Sequence, residues 1–155
     1  MKLESAEKAI LQSLQINGRM PNVELAEAIG LSESPCFRRV KQLEQAGIIA
    51  GYSARVDRKK IGLEVTAFVL VSLERQPDTA TEAFLAAVEA EPYIVECFAV
   101  SGSHDYLMKV VAQNLDHFSD LCMKQILRFP GVNHVESTLA LKVIKESHAF
   151  PVPDQ

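Results

Sequence analysis

Apolar residues recur at helical spacing through the first third of the chain, and this pattern predicts three short helices. The first covers residues 4–16 and ends at the turn signal Asn17-Gly18. The second begins with Asn22 as its N-cap and ends at Gly30, where a residue without Cβ turns the chain at little cost. The third has Ser32 or Ser34 as its cap and Pro35 in its first turn. The apolar side chains expected to face inward from the first helix are Ala9, Ile10, Leu11 and Leu14.

The third helix has one apolar face and one polar face. At 100° per residue, Cys36, Val40 and Leu43 lie together, and polar and cationic residues lie opposite them. A tight turn followed by such a helix is typical of a helix-turn-helix, whose second helix lies in the DNA major groove. Arginine is suited to reading guanine, and both arginine and lysine hold phosphates. The alternative is an ordinary helical hairpin with a solvated basic face. The residues predicted to contact double-stranded DNA are Asn22, Ser32, Ser34, Pro35, Arg38, Arg39, Lys41 and Gln42.

Residues 48–56 follow as two short extended pieces around Gly51, which predicts a wing, a β-hairpin beside the DNA-reading helix. Arg55, Arg58, Lys59 and Lys60 come next and either touch the DNA backbone or form a solvated linker, the reading we favour.

Beyond Gly62 the pattern changes to alternating strands and helices. Strands are predicted at residues 65–73, 94–101, 106–112 and 135–143. A helix at 80–91 follows a turn at Pro77, and a second helix begins at Asn114 or Asp116 and ends at Pro130-Gly131. The predicted inward side chains of these two helices are Phe84, Leu85 and Val88, then Phe118, Leu121, Cys122, Ile126 and Leu127.

The order β-α-β-β-α-β predicts a ferredoxin-like domain, an antiparallel sheet with two helices on one face. The fold class is therefore α+β, with a helix-turn-helix in residues 1–51, a wing or linker in 52–63 and the ferredoxin-like domain in 64–155. Strands one, two and four are apolar nearly throughout, so both faces of the sheet are expected to be covered. A second copy of the chain is the simplest cover, which predicts a homodimer.

Composition and charge are consistent with two unlike halves. The chain has 155 residues, 48% hydrophobic and 23% charged, as in a globular protein. Neither a membrane-span run nor a signal-peptide pattern is present, and three scattered cysteines argue against a disulfide framework or a zinc module, so we expect a cytoplasmic protein without metal. Residues 1–62 hold ten Lys and Arg against seven Asp and Glu, whereas residues 63–155 hold six against thirteen. This asymmetry supports contact between phosphates and the first half.

Several stretches resemble the Lrp/AsnC, or feast/famine, family of prokaryotic transcription regulators, over roughly residues 4–152. They are Asn22 to Ala26 with Gly30-Leu31-Ser32, Pro35 to Glu44, Ala46 to Ile49 with Gly51-Tyr52, Gly102-x-x-Asp105-Tyr106-Leu107, Pro130-Gly131-Val132, and Lys145 with Phe150-Pro151-Val152. The resemblance implies a nucleoid-associated regulator that dimerises, assembles into tetramers or octamers, and binds an amino-acid effector between dimers, with no other cofactor.

The effector positions implied by the resemblance are Gly102, Ser103, His104, Asp105 and Tyr106, with Glu136, Ser137 and Thr138 as weaker candidates. Backbone N–H groups at Gly102 and Ser103 suit a carboxylate, and Asp105 suits an ammonium. Alternatively, Gly102 and Asp105 only make the turn between two strands. The loop departs from the family pattern at Ser101 and at Ser103-His104.

Two other classes of function were weighed. An architectural protein would share the fold and lack the effector. An enzyme would have to use His104-Asp105, Asp116-His117 or the cysteines, but residues adjacent in sequence do not make a catalytic pair without a convergent nucleophile. We therefore expect a regulator that is not an enzyme.

Overall fold

The computed structural model describes residues 3–74 and 78–153, so the predicted turn at Pro77 lies outside the described residues. The chain divides into two compact units. The first unit consists of Met1–Arg55 with Ile144–Gln155, and the second is Val56–Val143.

The first unit contains the three predicted helices, α1 (Ser5–Ile16), α2 (Asn22–Ala28) and α3 (Glu33–Gln45). Their apolar faces meet in a small core, because each helix carries apolar residues at helical spacing on one side. The fully buried members of this core are Ile10, Leu25, Ala26, Cys36 and Leu43, with Leu11, Leu14, Val40 and Ile49 among those packed against it.

Two glycines end α2 and α3 in the same way. Gly30 has φ +70° and Gly47 has φ +68°, a left-handed conformation that favours glycine. After α2, the Gly30 and Leu31 N–H groups donate to carbonyls of Glu27 and Ala26. After α3, the Gly47 and Ile48 N–H groups donate to Glu44 and Leu43. Both ends are Schellman motifs, which satisfy the last carbonyls of each helix.

Two local expectations in this unit were wrong. Asn22 is not the N-cap of α2; the capping position is Pro21, and the Asn22 side-chain amide donates to the Glu33 carbonyl at 3.0 Å. Residues 48–56 contain no strand, so the predicted wing hairpin does not form there. The Ile48 and Ile49 N–H groups both donate to the Leu43 carbonyl, so they cap α3 instead of pairing in a hairpin.

The C-terminal segment groups with the first unit, whereas the predicted division placed it with the second. The Gln15 side chain explains the grouping, because it donates to the Phe150 carbonyl at 3.1 Å and accepts from the Phe150 N–H at 2.7 Å. A cavity of about 890 Å³ lies between the end of α1, residues 48–55 and this segment.

The second unit is a four-stranded antiparallel sheet in the order β2-β3-β1-β4. Its strands are β1 (Val65–Leu73), β2 (Ile94–Ala99), β3 (Tyr106–Ala112) and β4 (Val132–Leu139). Its helices are α4 (Asp78–Ala90) and α5 (Leu115–Asp120), which continues through a π-helical turn, Leu121–Gln125, and a 3₁₀ turn, Ile126–Arg128. This is the predicted ferredoxin-like arrangement, and the α+β fold class is confirmed.

One face of the sheet packs against both helices. Alternate residues of β1 and β3 enter this core with Phe84 and Val88 of α4 and Phe118, Leu121, Cys122 and Ile126 of α5 and its continuation. Leu85 and Leu127 were expected in the core but are exposed. Leu85 lies 100° around α4 from Phe84, outside the narrow stripe that the sheet covers. Leu127 follows the π-helical turn, which places its neighbour Ile126 inward.

The last strand lies nearer the N-terminus than predicted. It spans Val132–Leu139 and not 135–143, because it pairs with β1 from Leu73 to Ala67. The Ala140 N–H still bonds the Thr66 carbonyl at 2.9 Å, and β1 begins one residue earlier, so little strand remains for residues 141–143 to pair with.

The opposite sheet surface, here named the outer face, is not covered by α4 or α5. Phe68 and Phe98 are 40% and 52% exposed there, and Leu70 and Leu107 lie on the same side. None of the helices in the described part of the chain is both long and apolar enough to cross a membrane.

Candidate functional site

The polar face of α3 is open to solvent, opposite the buried Cys36 and Leu43. Ser34, Arg38, Lys41 and Gln42 are all exposed on it. Among the described residues, Arg38 has no ion-pair partner, so its guanidinium is available to a ligand. An unpaired arginine on an exposed helix can form bidentate hydrogen bonds with a guanine edge or a phosphate.

Arg39 is engaged elsewhere. Its guanidinium forms ion pairs with Glu7 and, at 3.1 Å, with Glu4, both at the start of α1. Hydrogen bonds to Glu7 and then Glu4 raise the pKa of Arg39 above its ordinary value. Glu7 also accepts the Glu4 N–H at 2.8 Å, so the cluster joins the first turn of α1 to α3. Its assignment as a DNA contact stays a prediction that this geometry weakens.

Lys41 is shared between two neighbours. Its ammonium lies 2.7 Å from a Glu44 carboxylate oxygen and 5.6 Å from the centre of the exposed Phe37 ring. The hydrogen bond from Lys41 lowers the pKa of Glu44, with a further contribution from the Tyr52 hydroxyl, which donates to Glu44 at 3.0 Å. Phe37 was not singled out from the sequence, although an aromatic residue beside the polar face of a helix indicates a possible contact with a neighbouring cation.

The turn between α2 and α3 brings the remaining predicted DNA contacts together. Ser32 is at the capping position of α3 and is exposed, but its side chain makes no capping hydrogen bond. Pro35 lies in the first turn of α3 as expected. The bond from Asn22 to the Glu33 carbonyl fixes the start of α2 against the start of α3.

The loop between β2 and β3 contains Gly102 with φ +119°, a conformation that favours glycine. Asp105 fastens this loop to β1: its carboxylate accepts the Leu73 N–H at 2.8 Å, and its N–H donates to the Val71 carbonyl at 2.9 Å. The turn role of Asp105 therefore has a geometric basis. Pairing with an ammonium stays a prediction, and the second carboxylate oxygen is the one that would serve it.

His104 and Glu136 meet beside this loop. His104 Nε2 lies 3.6 Å from Glu136 Oε2, and Ser103 Oγ lies 3.1 Å from His104 Nδ1. Thr138 is on the same side of β4 as Glu136, because alternate residues share a face. Ser137 and Tyr106 are on the other side, where Tyr106 packs 4.8 Å from the Phe84 ring. The predicted effector residues are thus divided between the two faces.

His134, which the sequence did not single out, also lies in this neighbourhood. Its ring lies 6.0 Å from that of His104 and nearly parallel to it. His134 precedes Glu136 by two residues in a strand, so the alternation of side chains could have shown that both lie on one face.

The residues weighed for catalysis do not converge. Burial raises the pKa of the Cys36, Cys97 and Cys122 thiols, which favours the unreactive form. Asp105 bonds to backbone and does not orient His104. His117 accepts the Gln113 N–H and packs edge-on 4.4 Å from Tyr93.

Models of two protein families match the chain, one on each half. A winged helix-turn-helix DNA-binding model matches residues 3–50, and an Lrp/AsnC ligand-binding domain model matches residues 66–150. These ranges cover α1 to α3 and the sheet with its helices.

Curated relatives align over nearly their whole length. The leucine-responsive regulatory protein of Rhizobium meliloti (strain 1021) is 37% identical over 95% of this chain and 94% of its own. The transcriptional regulator AzlB of Bacillus subtilis (strain 168) is 33% identical over 98% and 97%. Among solved structures, a transcriptional regulator of Neisseria meningitidis in complex with L-Met superposes with a TM-score of 0.94 at 40% identity, covering 97% of both chains. This chain therefore belongs to the Lrp/AsnC family of DNA-binding transcriptional regulators.

Proposed function

We propose that this regulator reads double-stranded DNA with α3 and that Arg38 makes its main base contact. The observation that carries the proposal is the exposed, unpaired Arg38 guanidinium on the polar face, directly opposite the buried Cys36 and Leu43. The buried side holds α3 in the domain, so the exposed side is free to enter the major groove.

The remaining contacts divide by chemistry. Lys41 and the Ser32 and Ser34 hydroxyls suit phosphates, and Gln42 suits an adenine edge. Pro35 and Asn22 shape the turn that presents these groups. Arg39 is not included among these contacts. If its guanidinium moved to the DNA, the buried Glu7 carboxylate would lose its cation.

The effector in this proposal is an amino acid, bound at the loop of Gly102 to Tyr106 between dimers. Support comes from the match to a ligand-binding domain and from the Neisseria meningitidis relative, whose structure contains L-Met. The N–H groups of the loop would donate hydrogen bonds to the carboxylate, and the second carboxylate oxygen of Asp105 would accept one from the ammonium. Binding there would shift the balance between assemblies and so the number of α3 helices that engage DNA together.

The proposed working form is a homodimer joined through the outer face, which builds tetramers or octamers. The exposed Phe68 and Phe98 support this interface, because exposed apolar patches of this kind mark contact sites. We place the protein in the cytoplasm, on the nucleoid, without catalytic activity.

Arg38→Ala tests the DNA-reading proposal. The operator is first selected from random duplexes with the wild-type protein, and affinity is then measured by fluorescence anisotropy at physiological salt. Loss of a bidentate arginine costs about 1–3 kcal/mol, so binding to one half-site should weaken roughly 5-fold to 150-fold, and base preference should relax at one position of each half-site.

Arg128→Ala is the matched control, since Arg128 is an exposed arginine in the second unit. It should stay within about twofold of the wild type, as expected for a charge that touches no phosphate. Unchanged affinity and base preference in Arg38→Ala would show that α3 is not the reading helix as placed here.

A further inference from the structure

Three side chains able to ligate a metal ion meet at one end of the outer face. They are His104, His134 and Glu136, whose ligating atoms all lie within 4.8 Å of one another. His104 Nε2 lies 3.6 Å from Glu136 Oε2, and the centres of the two imidazole rings are 6.0 Å apart with planes 26° from parallel. Two imidazoles and a carboxylate form a common set of ligands for transition metals in proteins.

The fold holds these residues on firm supports. His134 and Glu136 alternate along β4, which pairs them with Ser72 and Leu70 of β1 and turns both to the same face. His104 precedes Asp105, which is bonded to β1 through both its carboxylate and its N–H. A site built on paired strands keeps its ligands near one geometry.

Ser103 can accept the hydrogen bond of the His104 tautomer that a metal needs. When Nδ1–H donates to Ser103 Oγ, 3.1 Å away, Nε2 is left with a lone pair close to the Glu136 carboxylate. A lone pair and a carboxylate this near each other are stabilised by a cation between them. Hydrogen bonds of this kind to the remote ring nitrogen are the usual outer partners of metal-binding histidines.

We propose that His104, His134 and Glu136 bind a divalent transition metal ion of the Zn²⁺ type, with water completing the coordination. Ligand atoms of a tetrahedral zinc site lie about 3.3 Å apart, since Zn–N and Zn–O distances are about 2.0–2.2 Å. His134 and Glu136 are exposed in the single chain, so their side chains can rotate and close the remaining gap. Mg²⁺ and Ca²⁺, which prefer oxygen ligands, bind more weakly to such a set.

A metal ion bound here would connect the loop of residues 102–105 with strand β4. His104 and Glu136 also belong to the predicted effector positions, but the metal is titrated without an amino acid or DNA, so a failed titration overturns this proposal and not the proposed function. The sequence concealed the site because His104 lies thirty residues before His134, and the His134-x-Glu136 pair alone is not a zinc motif.

Calorimetric titration of Zn²⁺ into the full chain tests the proposal, using tag-free protein stripped with chelator, in a non-coordinating buffer at about pH 7.5. We expect saturable binding of one ion per chain and no comparable heat from Mg²⁺. His134→Gln and Glu136→Gln should each weaken binding at least tenfold, and Ser103→Ala should weaken it less, as an outer partner does. Lowering the pH to about 6 should also weaken it, because protons compete for imidazole.

His148→Gln and Cys97→Ser are the controls, since neither residue belongs to the cluster and each removes another potential ligand. Both should bind Zn²⁺ as the wild type does. His134 and Glu136 are exposed, so their replacement should leave the fold intact, and circular dichroism of each variant checks this. Absence of saturable binding, or equal binding by the cluster variants and the controls, would overturn the proposal.

Discussion

Two neighbouring arginines in α3 show how much one residue's role depends on its partners. Arg38 is exposed and has no ion-pair partner among the described residues, whereas Arg39 is held by Glu4 and Glu7 of α1. The sequence places both on or beside a polar face and cannot separate them. The difference arises from packing between residues more than thirty positions apart, which helical periodicity does not report.

Replacing Arg39 should therefore affect stability before it affects DNA binding. Arg39→Ala leaves the nearly buried Glu7 carboxylate without its cation, so the melting temperature should fall. At a temperature where the variant is folded, operator affinity should stay within about twofold of the wild type, since no phosphate contact is lost. Thermal unfolding and fluorescence anisotropy measure the two effects. A stable variant with tenfold weaker DNA binding would restore Arg39 to the DNA-contact set.

Asp105 has two candidate roles that different substitutions separate. Asp105→Asn keeps an oxygen for the Leu73 N–H but loses the charge, whereas Asp105→Ala loses both. If the carboxylate pairs with an ammonium, the asparagine variant should keep its melting temperature and bind the amino acid about tenfold or more weakly, since hydrogen bonds to charged groups contribute about 1.5–3 kcal/mol. The alanine variant should also be less stable.

Amino-acid binding by the Asp105 variants is measured as a dye-monitored thermal shift against the twenty amino acids. A dye is needed because the chain has no Trp and only three Tyr, so its intrinsic fluorescence reports unfolding poorly. A ligand that binds only the folded protein raises its melting temperature. An asparagine variant with the wild-type response would leave Asp105 as a turn residue alone. No shift with any amino acid in the wild type would favour the architectural alternative.

Among the elements, the end of α2 was predicted from its glycine. Gly30 was expected to end this helix and has the positive φ that such an ending uses, and Gly47 ends α3 in the same way. Gly30→Ala should destabilise the protein by about 1–2 kcal/mol through backbone conformation alone, since an added Cβ meets nothing within 4 Å. Chemical denaturation with urea measures the loss.

Gly51→Ala is the matched control for Gly30→Ala. Its site is equally open, but its φ is outside the positive range, so the change in free energy of unfolding should lie within about 0.5 kcal/mol of zero or be slightly stabilising. Equal losses at Gly30 and Gly51 would mean that the left-handed conformation is not what limits position 30.

Other element boundaries depended on partners that a single stretch of sequence does not reveal. The end of β4 is set by the position where β1 begins. The apolar residues that follow β4 have the sequence pattern of a strand, but β1 offers them no residues to pair with. Residues 48–56 read as a hairpin, but the end of α3 uses their first N–H groups. The order of elements was predictable because periodicity is local, whereas their ends are settled by hydrogen bonds between distant segments.

For the whole molecule, the proposed function makes DNA binding depend on dimerisation through the outer face. A single α3 reads one half-site, so affinity for a paired operator depends on linking two copies. The distribution of charge is consistent with DNA contact by the first half and association by the second, because the basic excess is in residues 1–62 and the acidic excess is in residues 63–155. In the proposed function, the second half contributes to DNA binding through association and not through phosphate contacts.

Phe68→Lys should break this association. Phe68 is 40% exposed on the outer face, and an interface between identical copies uses each residue twice, so one substitution places two unpaired cations in it. The dimer dissociation constant should rise at least about tenfold, as for the loss of an aromatic anchor. Leu85→Lys is the matched control: Leu85 is 44% exposed but lies on α4, away from the outer face, and should leave the dimer intact.

Sedimentation equilibrium of both variants measures the dissociation constant, and anisotropy on paired and single half-sites measures the consequence. Phe68→Lys should lose the preference for the paired operator and bind both duplexes alike, because its two reading helices are no longer linked. Leu85→Lys should keep that preference. If the two variants dissociate equally, or if Phe68→Lys stays dimeric, then the copies associate through another surface, and the exposed aromatic residues of the sheet need a different explanation.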